Sequence, residues 1–152
     1  MSDILHMRAE DMRVSHHAHG DYEYTKRIFI PRGMGNTLVC VYEVPVGKSV
    51  YPYHYHLRNE EIFHILSGEG CLRTPGGERQ VTAGDYLYFP AGPEGAHKLT
   101  NTGSVPLVYI DFDGVHDLDV CRYPDSGKMA VWGMGVNRVY PEDADVDYYE
   151  GE

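Results

Sequence analysis

Closely spaced turn signals are the feature that most constrains this chain. Gly- and Pro-rich stretches return at short intervals, as PRGMGN (31–36), PVGK (45–48), SGEG (67–70), TPGGE (74–78), AGD (83–85), PAGPEG (90–95) and NTGSVP (101–106). They leave room only for short elements. The intervening runs are rich in Val, Ile, Tyr, Phe and Leu, and no window of helical length keeps a 3.6-residue apolar period. Strands are predicted over residues 36–44, 61–66, 71–74, 85–89, 96–101 and 106–112. The class is all-β, and the even spacing points to a sandwich or a small barrel.

The two ends read differently from the middle. Residues 1–25, with His16, His17 and His19 in SHHAHG, are expected to form an N-terminal arm, and residues 26–115 to form the barrel. From 116 to 152 the sequence predicts a C-terminal hairpin turning at PDSGK (124–128) and then an acidic tail carrying Tyr148 and Tyr149. With 152 residues and no linker, the chain is one domain overall.

A net charge of −10 and the lack of any Lys/Arg cluster argue against a nucleic-acid partner. No run approaches the roughly 18 apolar residues that cross a bilayer, and the N-terminus has no secretory pattern. No membrane association and a cytoplasmic location are therefore expected. Cys40, Cys71 and Cys121 are odd in number and widely spaced, as suits buried free thiols.

The chemistry gathers in YPYHYHLRNEEIFH, residues 51–64. In an extended strand His54 and His56 point the same way, with Cα atoms about 6.6 Å apart, which suits two ligands of one metal ion. Glu61 lies at an odd separation from His56, so the intervening residues must bend, and Asn59 tolerates the bend. A distant block, GDYLYFPAGPEGAHKLTN, delivers His97 just after a Pro-Gly turn. A ligand from a second hairpin is what a closed coordination set needs.

Together the two blocks resemble the paired motifs of the cupin superfamily. Gly47, His54, His56, Glu61 and Gly68 match the first motif; Gly84, Pro90, Gly92, His97 and Asn101 match the second. One extra residue separates Gly47 from His54, and two extra lie between Gly92 and His97. The resemblance implies a double-stranded β-helix, or jelly-roll barrel, in which His54, His56, Glu61 and His97 hold one divalent transition metal: Zn, Ni, Fe, Mn, Co or Cu. It selects Glu61 over Glu60.

If Glu61 faces inward, His64 faces outward with Ile62 and Leu66. Tyr53 and Tyr55 alternate with the ligand histidines and are expected on the same outer patch, which suggests a homodimer. Tyr51, Arg73, Tyr86 and Tyr88 are candidates for the barrel mouth, and Glu94, beside His97, is a candidate catalytic residue. The resemblance further implies a small polar metabolite as ligand, with isomerisation of a sugar or sugar phosphate as one concrete activity. A non-catalytic binding or sensor protein and a metal-dependent dioxygenase are the alternatives.

Overall fold

The computed structural model describes residues 4–152. Its strands run β1 Arg13–His19, β2 Tyr22–Ile30, β3 Thr37–Val44, β4 Tyr55–His56, β5 Glu61–Ser67, β6 Glu69–Thr74, β7 Gly77–Thr82, β8 Tyr86–Phe89, β9 Lys98–Asn101, β10 Leu107–Gly114, β11 Leu118–Tyr123, β12 Lys128–Gly133 and β13 Val136–Pro141. Each run expected to be a strand is one, with ends shifted by one or two residues. Among the described residues no helix is long and apolar enough to cross a membrane.

Three antiparallel sheets result. The largest has the order β1-β2-β3-β10-β5-β8, a second has β7-β6-β9, and a third has β13-β12-β11-β4. The first two share one core, since Leu72, Val81 and Leu99 of the smaller sheet pack with Tyr42, Phe63 and Tyr109 of the larger. This is the jelly-roll arrangement of two sheets closed over their apolar faces.

Strand register explains why the interior is polar at one end and apolar at the other. Across the inner face of the large sheet, Ile65, Tyr109, Tyr42 and Lys26 form one row. The next row is Phe63, Asp111, Cys40 and Ile28, and the last is Glu61, Asp113 and Leu38. Because alternate residues of a strand share a face, stepping by two along β5 and β10 carries the wall from core to carboxylates. The carboxylate-bearing end of the barrel is thus written into β5 and β10 as Glu61-x-Phe63-x-Ile65 and Tyr109-x-Asp111-x-Asp113.

Gly68 turns β5 into β6 with a φ of 80°. A Cβ there would sit 2.6 Å from the Pro106 carbonyl oxygen, so only glycine fits this crossing of backbones.

The N-terminal segment differs from the expected arm. Its first three residues lie outside the described residues, but from Arg13 to Ile30 it forms a hairpin paired onto β3, with Tyr24 in the shared core. The cause is the alternation Tyr24, Lys26, Ile28, which gives β2 an inward face. His16, His17 and His19 stay exposed on β1, and the His17 ring stacks on Tyr24 at 4.9 Å. At the other end the expected β11–β12 hairpin is present, and β13 adds a third strand to it.

Candidate metal centre

The four residues that the motifs single out converge. His54 comes from the loop before β4, His56 ends β4, Glu61 starts β5, and His97 follows the short 3-10 turn Pro93–Gly95. Glu61 Oε2 lies 3.3 Å from His97 Nε2, 3.5 Å from His56 Nε2 and 4.0 Å from His54 Nε2. Donor atoms bound about 2.0–2.2 Å from a shared ion stand at comparable separations.

The tautomers follow from the hydrogen bonds behind each ring. His54 Nδ1 lies 2.8 Å from the Pro52 carbonyl, and His97 Nδ1 lies 2.9 Å from the Gly95 carbonyl. A carbonyl only accepts, so both Nδ1 atoms carry the proton and both Nε2 lone pairs are bare. His56 Nδ1 lies 2.5 Å from Asp119 Oδ2 and donates there in the same way. Three imidazole lone pairs therefore surround one carboxyl oxygen, and none of the three rings brings a hydrogen to it. Glu61 Oε2 and His97 Nε2 are fully buried and have no hydrogen-bond partner. A cation bound among these acceptors would satisfy all of them at once, so these residues fit a divalent metal.

Burial controls the protonation of the set. Desolvation, reinforced by His56, pushes the His54 pKa down to about 4. Burial, aided by His54, pushes that of His97 well below its ordinary value. Both rings are thus neutral at pH 7, the form that can coordinate a metal. Burial drives the Glu61 pKa well up, and the nearby carboxylates of Asp111, Asp113 and Asp119 add to the rise. A bound cation would reverse that last shift.

Aromatic packing fixes the His97 ring. Phe89 stacks on it at 3.7 Å between centroids, and Phe63 meets it edge-on at 5.4 Å. Gly95 is constrained more tightly still, because a Cβ there would fall 1.8 Å from the Pro90 carbonyl oxygen. The two residues inserted before His97 thus form a tight turn that presents the Gly95 carbonyl to the ring.

Of the cluster, His54, His56 and Glu61 open into a cavity of about 300 Å³, while His97 stays behind them, 2 % exposed. Lys26, Arg32, Tyr51, Asp111, Asp113, Tyr123 and Trp132 line the rest of it. Asp111 Oδ1 and Asp113 Oδ1 are buried without partners. Burial, with Asp113 beside it, raises the Asp111 pKa to about 8. The Arg32 guanidinium lies 3.7 Å from Asp113.

Several expected positions are corrected. Glu94 is exposed in the 3-10 turn and lines a different surface concavity with Tyr86 and Tyr88, away from the cluster. The turn aims its side chain outward while its backbone faces the site. Tyr86 and Tyr88 are on the outer face of edge strand β8, 72 % and 58 % exposed, so of the mouth candidates only Tyr51 lines the cavity. Tyr53 is buried, with the Arg73 guanidinium 4.0 Å over its ring, and does not join the outer patch. Arg73 also pairs with Asp125. His64, as expected, stays on the outer side of β5 and stacks on Tyr86 at 4.0 Å.

Sequence reasoning missed the contribution of β11. Asp119 is buried and accepts from His56 and from the backbone N–H groups of Arg58 and Asn59. Cys121 is buried as a free thiol, but it also lines the cavity with Sγ 3.1 Å from His56 Nδ1. Cys71 is only half-buried. His56, Asp119 and Cys121 form a second possible ligand grouping. Its polar atoms are already paired with one another, and burial pushes the Cys121 thiol pKa up, so it stays protonated. The alternating pattern of DLDVC gave a strand signal but no sign of its destination.

Fold and site together define a β-barrel protein with a candidate metal centre of histidines and one carboxylate. Residues 40–113 match the cupin domain model, so this part of the chain is a cupin domain. It is 41 % identical over 81 residues to the uncharacterized protein MJ1618 of Methanocaldococcus jannaschii, covering 53 % of this chain and 55 % of that one. It is 34 % identical over 68 residues to an oxalate-binding protein of Thermotoga maritima, covering 45 % and 54 %. The chain spans about half the length of the curated relatives it matches. A solved structure described as a proposed sugar phosphate isomerase, from Acidithiobacillus ferrooxidans, superposes with a TM-score of 0.79 at 25 % identity over 90 % of both chains. A cupin described as a sugar phosphate isomerase, from Silicibacter pomeroyi, superposes with a TM-score of 0.83 at 16 % identity over 93 % and 95 %, a likeness of fold.

Proposed function

We propose that this protein is a metal-dependent isomerase of a small polyhydroxylated substrate, a sugar or sugar phosphate, held in the cavity beside His54, His56, Glu61 and His97. One observation carries the reading: the lone-pair cluster shares its cavity with Asp111, a buried carboxylate that has an unpartnered oxygen and a pKa near 8. The ion, when bound, supplies Lewis-acid polarisation of a substrate carbonyl. Asp111 takes a proton from the carbon next to that carbonyl and returns it to the carbonyl carbon, while the hydroxyl proton passes to the carbonyl oxygen. Atoms and electrons balance without an external oxidant. A base that titrates near neutrality is suited to this exchange. Lys26 and Arg32 line the same cavity and suit a phosphate or carboxylate group on the substrate. The description of the Acidithiobacillus structure agrees with this activity.

Binding without turnover is the second reading, favoured by the oxalate-binding relative. The test is deuterium wash-in. Zinc-, manganese- and iron-loaded protein is incubated with aldoses, ketoses and their phosphates in D2O. Deuterium beside the carbonyl, with kcat reduced at least about 100-fold in Asp111→Asn at unchanged metal content, is the expected result. Ligand-induced thermal stabilisation without any exchange favours the binding reading. Oxygen uptake by the iron-loaded protein favours a dioxygenase.

A homodimer is part of the same proposal. The outer face of the large sheet presents Ile62, Leu66, Tyr86, Tyr88 and Phe112 side by side, each at least 38 % exposed. With β8 at the edge of that sheet, a second copy packing on this face would cover the patch.

A further inference from the structure

We propose that Asp119 is a positioning residue of the metal centre, and that through it the C-terminal sheet, which lies outside the matched domain, is a working part of the site. The inference rests on the four-residue metal reading above. Asp119 is on β11, and β11 reaches the barrel proper through only two register pairs, Cys121 with His56 and Arg122 with Tyr55. Its carboxylate is 1 % exposed, and both its oxygens are used. Oδ1 accepts from the Arg58 and Asn59 N–H groups at 2.9 and 3.4 Å, tying down the bend between the first three ligands. Oδ2 accepts from His56 Nδ1–H, which leaves Nε2 unprotonated and aimed at Glu61. One side chain thus sets the tautomer of a ligand and holds the loop that separates His56 from Glu61.

The chemistry gives an asymmetric expectation for substitution. In Asp119→Asn only one oxygen remains, and two backbone N–H groups compete for it. The amide NH2 then faces His56 Nδ1 and can only donate. It draws the imidazole into the opposite tautomer, with a hydrogen on Nε2 where the ion belongs. Partners behind ligating histidines typically matter 10–100-fold in metal affinity.

Zinc affinity is measured by competition with a chelator for the wild type, Asp119→Asn and Arg122→Ala. Arg122→Ala serves as the control because it removes an exposed ion pair with Glu142 from the same strand. Zinc binding at least about tenfold weaker in Asp119→Asn than in both other proteins supports the inference, as does a changed visible spectrum of its cobalt form. A smaller loss, or an equal loss in Arg122→Ala, overturns it. Wild-type protein that takes up no stoichiometric ion sinks the metal reading itself. If Asp119→Asn does not fold, long-range proton–nitrogen spectra of the zinc-loaded wild type decide. A protonated His56 Nδ1 supports the inference, and an aprotic Nδ1 overturns it.

Discussion

His54 and His97 exchange both of their backbone hydrogen bonds, His97 N–H to the His54 carbonyl at 2.9 Å and His54 N–H to the His97 carbonyl at 3.1 Å. In an antiparallel pair, residues bonded in this way present their side chains on the same face. The two rings accordingly stand 4.7 Å apart between centroids, and two histidines distant in sequence become neighbours through one two-bond bridge. Loop, 3-10 turn and strand around each histidine are anchored to this pair.

Removal of both members of the bridge tests the ligand set. The double variant His54→Ala, His97→Ala is expected to lose stoichiometric metal as measured by elemental analysis, while the wild type retains about one ion per chain. Should the variant hold the same metal at the same ratio, the exposed His16, His17 and His19 become the suspects.

Phe89 links the core to the metal centre, since it stacks on His97 at 3.7 Å and meets Phe63 at 4.9 Å. Phe89→Ala is expected to cost about 3–5 kcal/mol of stability in urea unfolding. Phe89→Leu should cost less and still weaken metal binding, because the His97 ring loses its stacked face. Unchanged zinc affinity in Phe89→Leu would show that the Gly95 carbonyl alone orients the ring.

The metal-free protein should lose stability as pH rises above neutrality. Asp111 keeps its proton up to about pH 8 in the folded state and releases it near its ordinary 3.8 when unfolded. Between those values the folded state holds the extra proton, so stability falls with rising pH. His54 acts in the opposite sense between about 4 and 6.5, where the unfolded chain takes up the proton that the folded chain refuses. From pH 6.5 to 8 the buried carboxyls act alone, with Glu61 in the same direction. Calorimetry in chelator is expected to show Tm lower by about 5 °C at pH 8 than at pH 6.5. Saturating zinc should reduce that fall, because a cation stabilises Glu61 ionised. A metal-free protein that is more stable at pH 8 would mean that Asp111 is ionised throughout.

Leu66 and Ile62 test the proposed dimer. Leu66→Glu combined with Ile62→Arg places charge on a patch that is 44 % and 42 % exposed at these positions, so the monomer fold should tolerate it. Sedimentation is expected to shift from dimer to monomer with little change in far-ultraviolet circular dichroism. A wild-type chain that sediments as a monomer at micromolar concentration disposes of the dimer outright.

Local sequence determined a good deal here. Turn residues and β-rich runs marked six of the strands of the barrel, because Gly and Pro interrupt hydrogen-bonded ladders whatever the remainder of the chain does. Alternation along a strand, a local property, paired His54 with His56, and the resemblance to the two motifs added Glu61 and His97; the donor atoms of the four do converge. Even the outward placement of His64 followed from the inward one of Glu61.

What sequence left open depended on partners far away in the chain. The histidine-rich start looked like an arm because its exposed β1 hides the fact that Tyr24 on β2 closes the core. Tyr53 looked like surface until Arg73 covered it, and Glu94 looked like a site residue because nothing local says which way a 3-10 turn aims its side chain. Asp119, 63 residues beyond His56, carried no motif at all. Strand periodicity fixes which face a side chain shares, whereas only the docking of one sheet on another decides what that face meets. The sequence by itself determined the candidate ligands of this site, and the tertiary structure decided their tautomers, their burial and the carboxylates that surround them.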